Sequence, residues 1–270
     1  MKWALLLVAL FQLPAPPFGL RVVPTPEPLV AIAEVGAGSQ RATSGNNDGV
    51  GSDTTAFPAD VAAGSLLVVG GAIWGATAAP TAIVVTDTLL TTYTVVLGGI
   101  NAGLTWRTFI AYGISLSAGA NTVTVNPAGV DSVHSFSYSL DEFSGVDDVA
   151  PADVDGGTST GDESSPGSDS LTTVAENALV VGVVSIDGPD QTITPNAAYT
   201  TIGENEDNSN NQCHSLVFQL VTTAQSYTVS WTFGSGDESW AAQTHSFKPD
   251  TGAGAAFYYQ PYSFASMGVQ

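Results

Sequence analysis

The residues of this chain equipped for chemistry are three histidines, one cysteine and a few acidic clusters. His134 and His245 fall in strand-like stretches with serines nearby, but serine is common throughout and its proximity is uninformative. No GxSxG elbow leads into a helix, and no nucleophile–base spacing stands out. Cys213 and His214 are neighbours in the strand pattern CHSLVFQLV, where alternation puts one inside and one outside. Structural positions are therefore expected for both. Asp141 and Glu142 are also consecutive in a strand, so their side chains point to opposite faces and cannot together act as acid and nucleophile. Either would need a carboxylate on a facing strand, and the expectation is a pair of exposed strand-end acids.

Hard oxygen donors are densest at residues 204–211, where Glu204, Glu206 and Asp207 alternate with asparagines. Ca²⁺ takes six to eight such oxygens in flexible geometry, so these three residues are the candidate metal ligands. Asn46, Asn47, Asp48 and Asp53 form a second cluster. Neither has EF-hand or RTX spacing, and a polar surface loop is the plainer reading. Calcium is thus a possible ligand and no other cofactor is expected. Trp106, Trp231 and Trp240 lie within strand patterns and read as core; Trp74, at a strand end, is the one expected to reach the surface.

These residues are carried by strands. Residues 121–143 are echoed without a gap by residues 225–247, pairing Val125 with Val229, Phe136 with Trp240 and Phe143 with Phe247. Upstream, Leu66-Leu67-Val68-Val69-Gly70 is echoed by Ala178-Leu179-Val180-Val181-Gly182. Two similar β-units are expected. Alternation and turn residues place strands at 29–35, 65–73, 82–86, 93–97, 105–112, 121–125 and 133–143. A second series follows at 178–185, 191–194, 199–202, 214–221, 227–233 and 240–247. Between them, residues 147–170 are rich in Asp, Gly, Ser and Thr and read as a long crossover loop. One unit's sheet alone would leave an apolar face exposed, so the expected fold is all-β: a single antiparallel β-sandwich over residues 29–249, jelly-roll-like.

The 270 residues suffice for a core that needs no disulfide or metal staple, and the single cysteine excludes an intrachain disulfide. Net charge is −20, with only Lys2, Arg21, Arg41, Arg107 and Lys248 as bases. No basic face can form, so nucleic acid and anionic lipid are not expected partners.

The two ends differ from the middle. Lys2 precedes an apolar run from Trp3 to Phe11 that is too short to span a bilayer, and six prolines crowd residues 14–28. Residues 1–28 read either as an extended docking arm, with Trp3, Leu6, Leu7, Phe11 and Phe18 as contacts, or as a secretory signal with a poor cleavage region. Residues 250–270 place Phe257, Tyr258, Tyr259, Tyr262 and Phe264 behind a Gly/Ala linker. These rings either fold back on the body or form an interface, where Tyr and Phe are favoured.

Five stretches carry a family resemblance. They are residues 66–70, Val85-Thr86-Asp87-Thr88 with Thr92-Tyr93-Thr94, and Gly119-Ala120-Asn121 with Thr122-Val123-Thr124-Val125. The others are Glu142-Phe143-Ser144-Gly145-Val146-Asp147, and Ser239-Trp240-Ala241-Ala242 before Phe247-Lys248-Pro249. Over residues 30–249 the chain resembles jelly-roll modules of bacteriophage virion proteins and of secreted bacterial surface proteins. The resemblance implies a scaffold and supplies no catalytic residues. The expected role is a non-enzymatic virion structural protein. Within that class, a capsid decoration subunit is expected, homo-oligomeric and docking on other particle subunits at the virion surface. The alternatives are a secreted carbohydrate-binding module or adhesin with a glycan partner and, more weakly, a glycan hydrolase.

Overall fold

The computed structural model describes residues 30–38, 40–44, 51–75, 77–100, 105–128, 133–162, 171–187, 192–206, 212–234 and 239–251. The docking candidates at 3–18 and 257–264 lie outside the described residues, as does Asp207.

The first unit contains β1 (Ala33–Glu34), β2 (Ala42–Thr43), β3 (Asp53–Ala56), β4 (Leu66–Gly75), β5 (Ala82–Asp87), β6 (Thr94–Ile100), β7 (Trp106–Ile114), β8 (Thr122–Ala128) and β9 (Val133–Ser144). The second contains β10 (Ala152–Gly161), β11 (Leu171–Thr172), β12 (Leu179–Asp187), β13 (Ile193–Pro195), β14 (Thr200–Glu206), β15 (Gln212–Leu220), β16 (Ser226–Tyr227), β17 (Trp231–Phe233) and β18 (Ser239–Phe247). One 3₁₀ turn, Val35–Gly38, is the only helical element among the described residues. The chain is all-β with packed antiparallel sheets, as the pattern implies, but they form two stacked sandwiches rather than the single one expected, because each unit covers its own large sheet.

The units repeat strand for strand. In the first, a large sheet β1-β9-β4-β7-β6 faces a small sheet β3-β8-β5. In the second, a large sheet β10-β18-β12-β15-β14 faces two short ladders, β11-β16 and β13-β17. β16 and β17 together take the place of β8. Each unit is therefore a sandwich in its own right, and the two large sheets stack on each other. Three apolar cores result. One, with Leu67, Val69, Phe109 and Phe136, lies under the first unit's small sheet. Another, with Val180, Trp231 and Trp240, lies under the second unit's ladders. The middle one joins Leu66, Val68, Ile110 and Phe143 to Leu179, Val181, Leu216 and Phe247.

This layering explains the composition of the central strands. β4 (LLVVGGAIWG) and β12 (LVVGVVSID) are covered on both faces, so both read as continuous apolar runs. It also corrects the reading of residues 147–170 as a loop. β10, ADVDGGTSTG, pairs with β18 as an edge strand, with register shifts at Ala152/Val154 and Asp155/Thr158. An edge strand with solvent on one side needs no apolar alternation, and its irregular pairing removes the period that would reveal it.

Two of the recognised stretches turn out to be one device. Asp87 is buried at the end of β5 and accepts hydrogen bonds from the Thr91 backbone (2.8 Å), the Tyr93 hydroxyl (3.0 Å) and Asn121 Nδ2 (2.9 Å). Burial works to raise its pKa, but these donors outweigh it and hold the carboxyl below its usual range. The turn before β6 is thereby locked to the residue that leads into β8. A third stretch owes its glycine to backbone shape: Gly145 has φ of 74°, and a Cβ there would lie 2.4 Å from the Ala31 carbonyl oxygen.

Candidate functional site

The described polar residues gather in two places, a buried seam between the large sheets and a surface groove beside it. The seam is built on β9, whose Ser137, Ser139 and Asp141 face the second unit. His214 on β15 meets the first two: Nδ1 lies 2.7 Å from Ser137 Oγ and Nε2 lies 3.0 Å from Ser139 Oγ. Ser139 Oγ is also 3.0 Å from Thr43 Oγ1. All three of Ser137, Ser139 and His214 are buried. Burial pushes the His214 pKa down to about 3, so the ring is neutral at ordinary pH. A serine–imidazole contact of this length has the distance of a nucleophile–base pair. Here no substrate atom can reach it, because neither partner is exposed to solvent, and the ring's second nitrogen meets another hydroxyl rather than a carboxylate. The arrangement acts as a polar clamp between layers.

Asp141 extends the seam. Its Oδ2 is 3.5 Å from Arg41 Nε, which also donates to Glu34 Oε1 at 2.6 Å, while Arg41 Nη1 donates to the Thr201 carbonyl at 2.8 Å. Arg41 thus reaches from the first unit to the second, and its guanidinium carbon lies 5.5 Å from the centre of the Phe218 ring. Burial raises the Asp141 pKa well above the usual carboxylate range; the neighbouring Glu34 adds to this and Arg41 opposes it. Glu142 points the other way and accepts from the Ala62 backbone at 2.8 Å. The expected opposite facing of the two acids is observed. Their expected exposure is not: both are 0% exposed, because β9 is central and covered on both sides. The same double covering buries both Cys213 and His214, where alternation alone suggested one outside. Cys213 forms no disulfide and lies within the second unit's own core.

The groove lies at the rim of the middle core, with a volume of about 340 Å³. One wall is the start of β6 and end of β7, with Thr92, Thr94, Tyr112 and Ile114; the other is the segment from Asp148 to Ala152. That second wall is pinned to the end of β18. Asp147 Oδ1 accepts from the backbones of Val149 and Ala150, each at 3.0 Å, and its Oδ2 pairs with Lys248 Nζ at 3.1 Å. Backbone bonds Lys248→Pro151 (2.9 Å) and Asp147→Lys248 (3.1 Å) complete the pinning. At the floor, Tyr112 stacks on His245 with 5.0 Å between ring centres and meets Phe247 edge-on. His245 itself bonds Asp155 weakly at 3.4 Å; burial lowers its pKa, against the pull of Asp155 and Asp153.

The remaining sequence candidates do not converge on either place. Glu204 Oε1 accepts from Ser215 Oγ (3.3 Å) and Thr201 Oγ1 (3.5 Å) on its own sheet. Glu206 ends β14, and its side chain lies outside what is described. Among the described residues, no three His, Cys, Asp or Glu side chains are grouped to hold a metal ion. Trp106, Trp231 and Trp240 are buried as expected, and Trp74 is half-buried, donating through its indole nitrogen to Thr105 Oγ1 at 2.8 Å. Among the described residues, no helix is long and apolar enough to cross a membrane. Sequence reasoning missed the groove, since nothing in the pattern shows that residues 148–152 fold against β6 and β7. The one available signal was the run Val149-Ala150-Pro151, which is too apolar for a free linker.

No family model, curated protein or solved structure matches the chain.

Proposed function

We propose that this protein is a non-enzymatic structural subunit of a virus particle, in the manner of a capsid decoration protein, which docks through its terminal segments. The observation that carries this reading is where those segments attach. The backbone nitrogen of Val30 donates to the carbonyl of Asp250 at 3.3 Å, and Asp250 N donates to Gly145 O at 2.9 Å. The described chain therefore begins and ends at one corner of the body, so that segments attached there could engage one partner surface together. Their chemistry suits that use. Of the 25 acidic residues only Glu27 lies outside residues 30–251, so the body carries the negative charge, while the segments carry the apolar run and the five clustered rings. The order of the large sheets, with the first, last, fourth and seventh strands adjacent in the first unit and the first, last, third and sixth in the second, supports the jelly-roll resemblance.

The test is incorporation. Deleting residues 1–28, or 252–270, is expected to reduce recovery of the protein in assembled particles at least about tenfold, as loss of a hot-spot cluster does. Undiminished incorporation of both deletions overturns the reading. A second reading, a secreted glycan-binding module, is favoured by the groove, which combines apolar walls with Thr92, Thr94 and Asp148. It predicts retention on a polysaccharide column that Thr94→Val abolishes.

A further inference from the structure

We propose that the groove between β6–β7 and residues 148–152 is the docking site for the C-terminal aromatic segment of a second copy of this chain. The inference rests on the particle-subunit reading and names the partner for one of the two terminal segments.

Leu116 and Val149 stand at the groove at 80% and 88% exposure, among the most exposed large apolar side chains in the described residues. Behind them Ile114 and Tyr112 carry the apolar surface down to the rim of the middle core. Such a patch on an acidic exterior marks an interaction surface. Its volume, about 340 Å³, is at the low end of ligand pockets, which run from roughly 300 to 1,000 Å³, and suits one or two rings rather than a folded domain.

The occupant follows from charge, area and direction. Two bodies with this excess of acidic residues repel each other, so a contact between copies needs a segment that adds no negative charge. Residues 252–270 contain no charged side chain at all, yet supply Phe257, Tyr258, Tyr259, Tyr262 and Phe264. At roughly 150–250 Å² per ring, the one or two rings that the groove holds would bury roughly 150–500 Å², leaving the rest of the segment to cover the surrounding surface toward the roughly 800 Å² of a standard interface. Direction decides between the chain's own groove and a neighbour's. Lys248 lies beside Pro151, Pro249 bridges Val146 and Asp250 bonds Gly145. The chain thus runs antiparallel to residues 145–151 and over residues 248–250 heads away from its own groove wall.

Mixed-label photocrosslinking tests this on the full chain. A ¹⁵N-labelled copy carrying benzoylphenylalanine in place of Tyr258 is mixed with unlabelled wild-type protein, irradiated and digested. Adducts joining labelled tail peptides to unlabelled peptides containing Leu116 or Val149 are expected. They should fall about tenfold when the unlabelled copy carries Leu116→Asp and Val149→Asp. Both positions are exposed, so the variant should fold, which an unchanged melting temperature checks. Adducts confined to labelled chains would show the tail folding on its own body and overturn the proposal. So would intermolecular adducts mapping elsewhere, or adducts unaffected by the double variant. Because the readout is in solution, the groove can fail while particle incorporation survives, and the reverse.

Discussion

His214 stays neutral in the folded protein down to about pH 3, whereas in the unfolded chain it takes up a proton near 6.5. Between these values the unfolded state binds a proton that the native state refuses, so stability is lost as pH falls through this window. The slope is about 1.4 kcal/mol per pH unit for one group. Asp141 acts in the opposite sense. Its folded pKa is raised above 3.8, so it holds its proton while the unfolded chain releases one, and its contribution declines as pH rises past 3.8. Urea unfolding across pH 3–8 checks both. His214→Gln should narrow its deficit against wild type as pH falls from about 6.5, and Asp141→Asn should gain on wild type as pH rises from about 4. A pH-independent difference in either case would show that the group does not titrate as its burial requires. The residue types of the seam were visible in the sequence. Their partnership was not, because Ser137 and His214 are 77 positions apart and belong to different units.

Among the strands, β4 and β9 approach closely because β4 has glycines where they meet. A Cβ at Gly71 would fall 2.2 Å from the Ser137 carbonyl oxygen and 2.6 Å from Tyr138 Cα, both backbone atoms that cannot swing away. Gly71→Ala should therefore cost about 3 kcal/mol in chemical denaturation. Gly51→Ala, with nothing within 4 Å of the added carbon, should change stability by no more than about 0.5 kcal/mol. Equal effects at the two sites would contradict the packing of β4 on β9. At this scale the sequence was most legible where one period dominated: β5 alternates exposed and buried along its whole length and was placed to within one residue. It was least legible in β10, where Gly, Ser and Thr on an edge strand carry no apolar period.

The whole molecule is four layers deep, and its middle core draws on both units. Arg41 and the His214 clamp add polar ties across the same interface. Neither unit can open without exposing Leu66, Val68, Leu179 and Val181 together, so unfolding should be cooperative. Scanning calorimetry is expected to give one transition whose calorimetric and van't Hoff enthalpies agree. Two resolved transitions would mean that the units are energetically separate and that the middle core contributes little.

By itself the sequence determined that the chain is all-β, that it consists of two similar units, and that Trp106, Trp231 and Trp240 are core. The echo of the last hairpin holds in three dimensions: Phe136 and Trp240 both face their own unit's core, and Phe143 and Phe247 both face the middle one. The upstream echo does not hold in the register read from sequence. Leu66 and Val68 face the middle core, but their matched residues Ala178 and Val180 face the second unit's own core. Gly70 likewise abuts Leu216 across the middle, while Gly182 abuts Val229 within its unit. The facings agree only when one strand is shifted by a single residue. A strand buried on both faces is apolar at every position, so the pattern LLVVG fits either register equally well. Which side of β4 and β12 faces the partner unit was decided by the stacking of the two large sheets, and that stacking exists only in the tertiary structure.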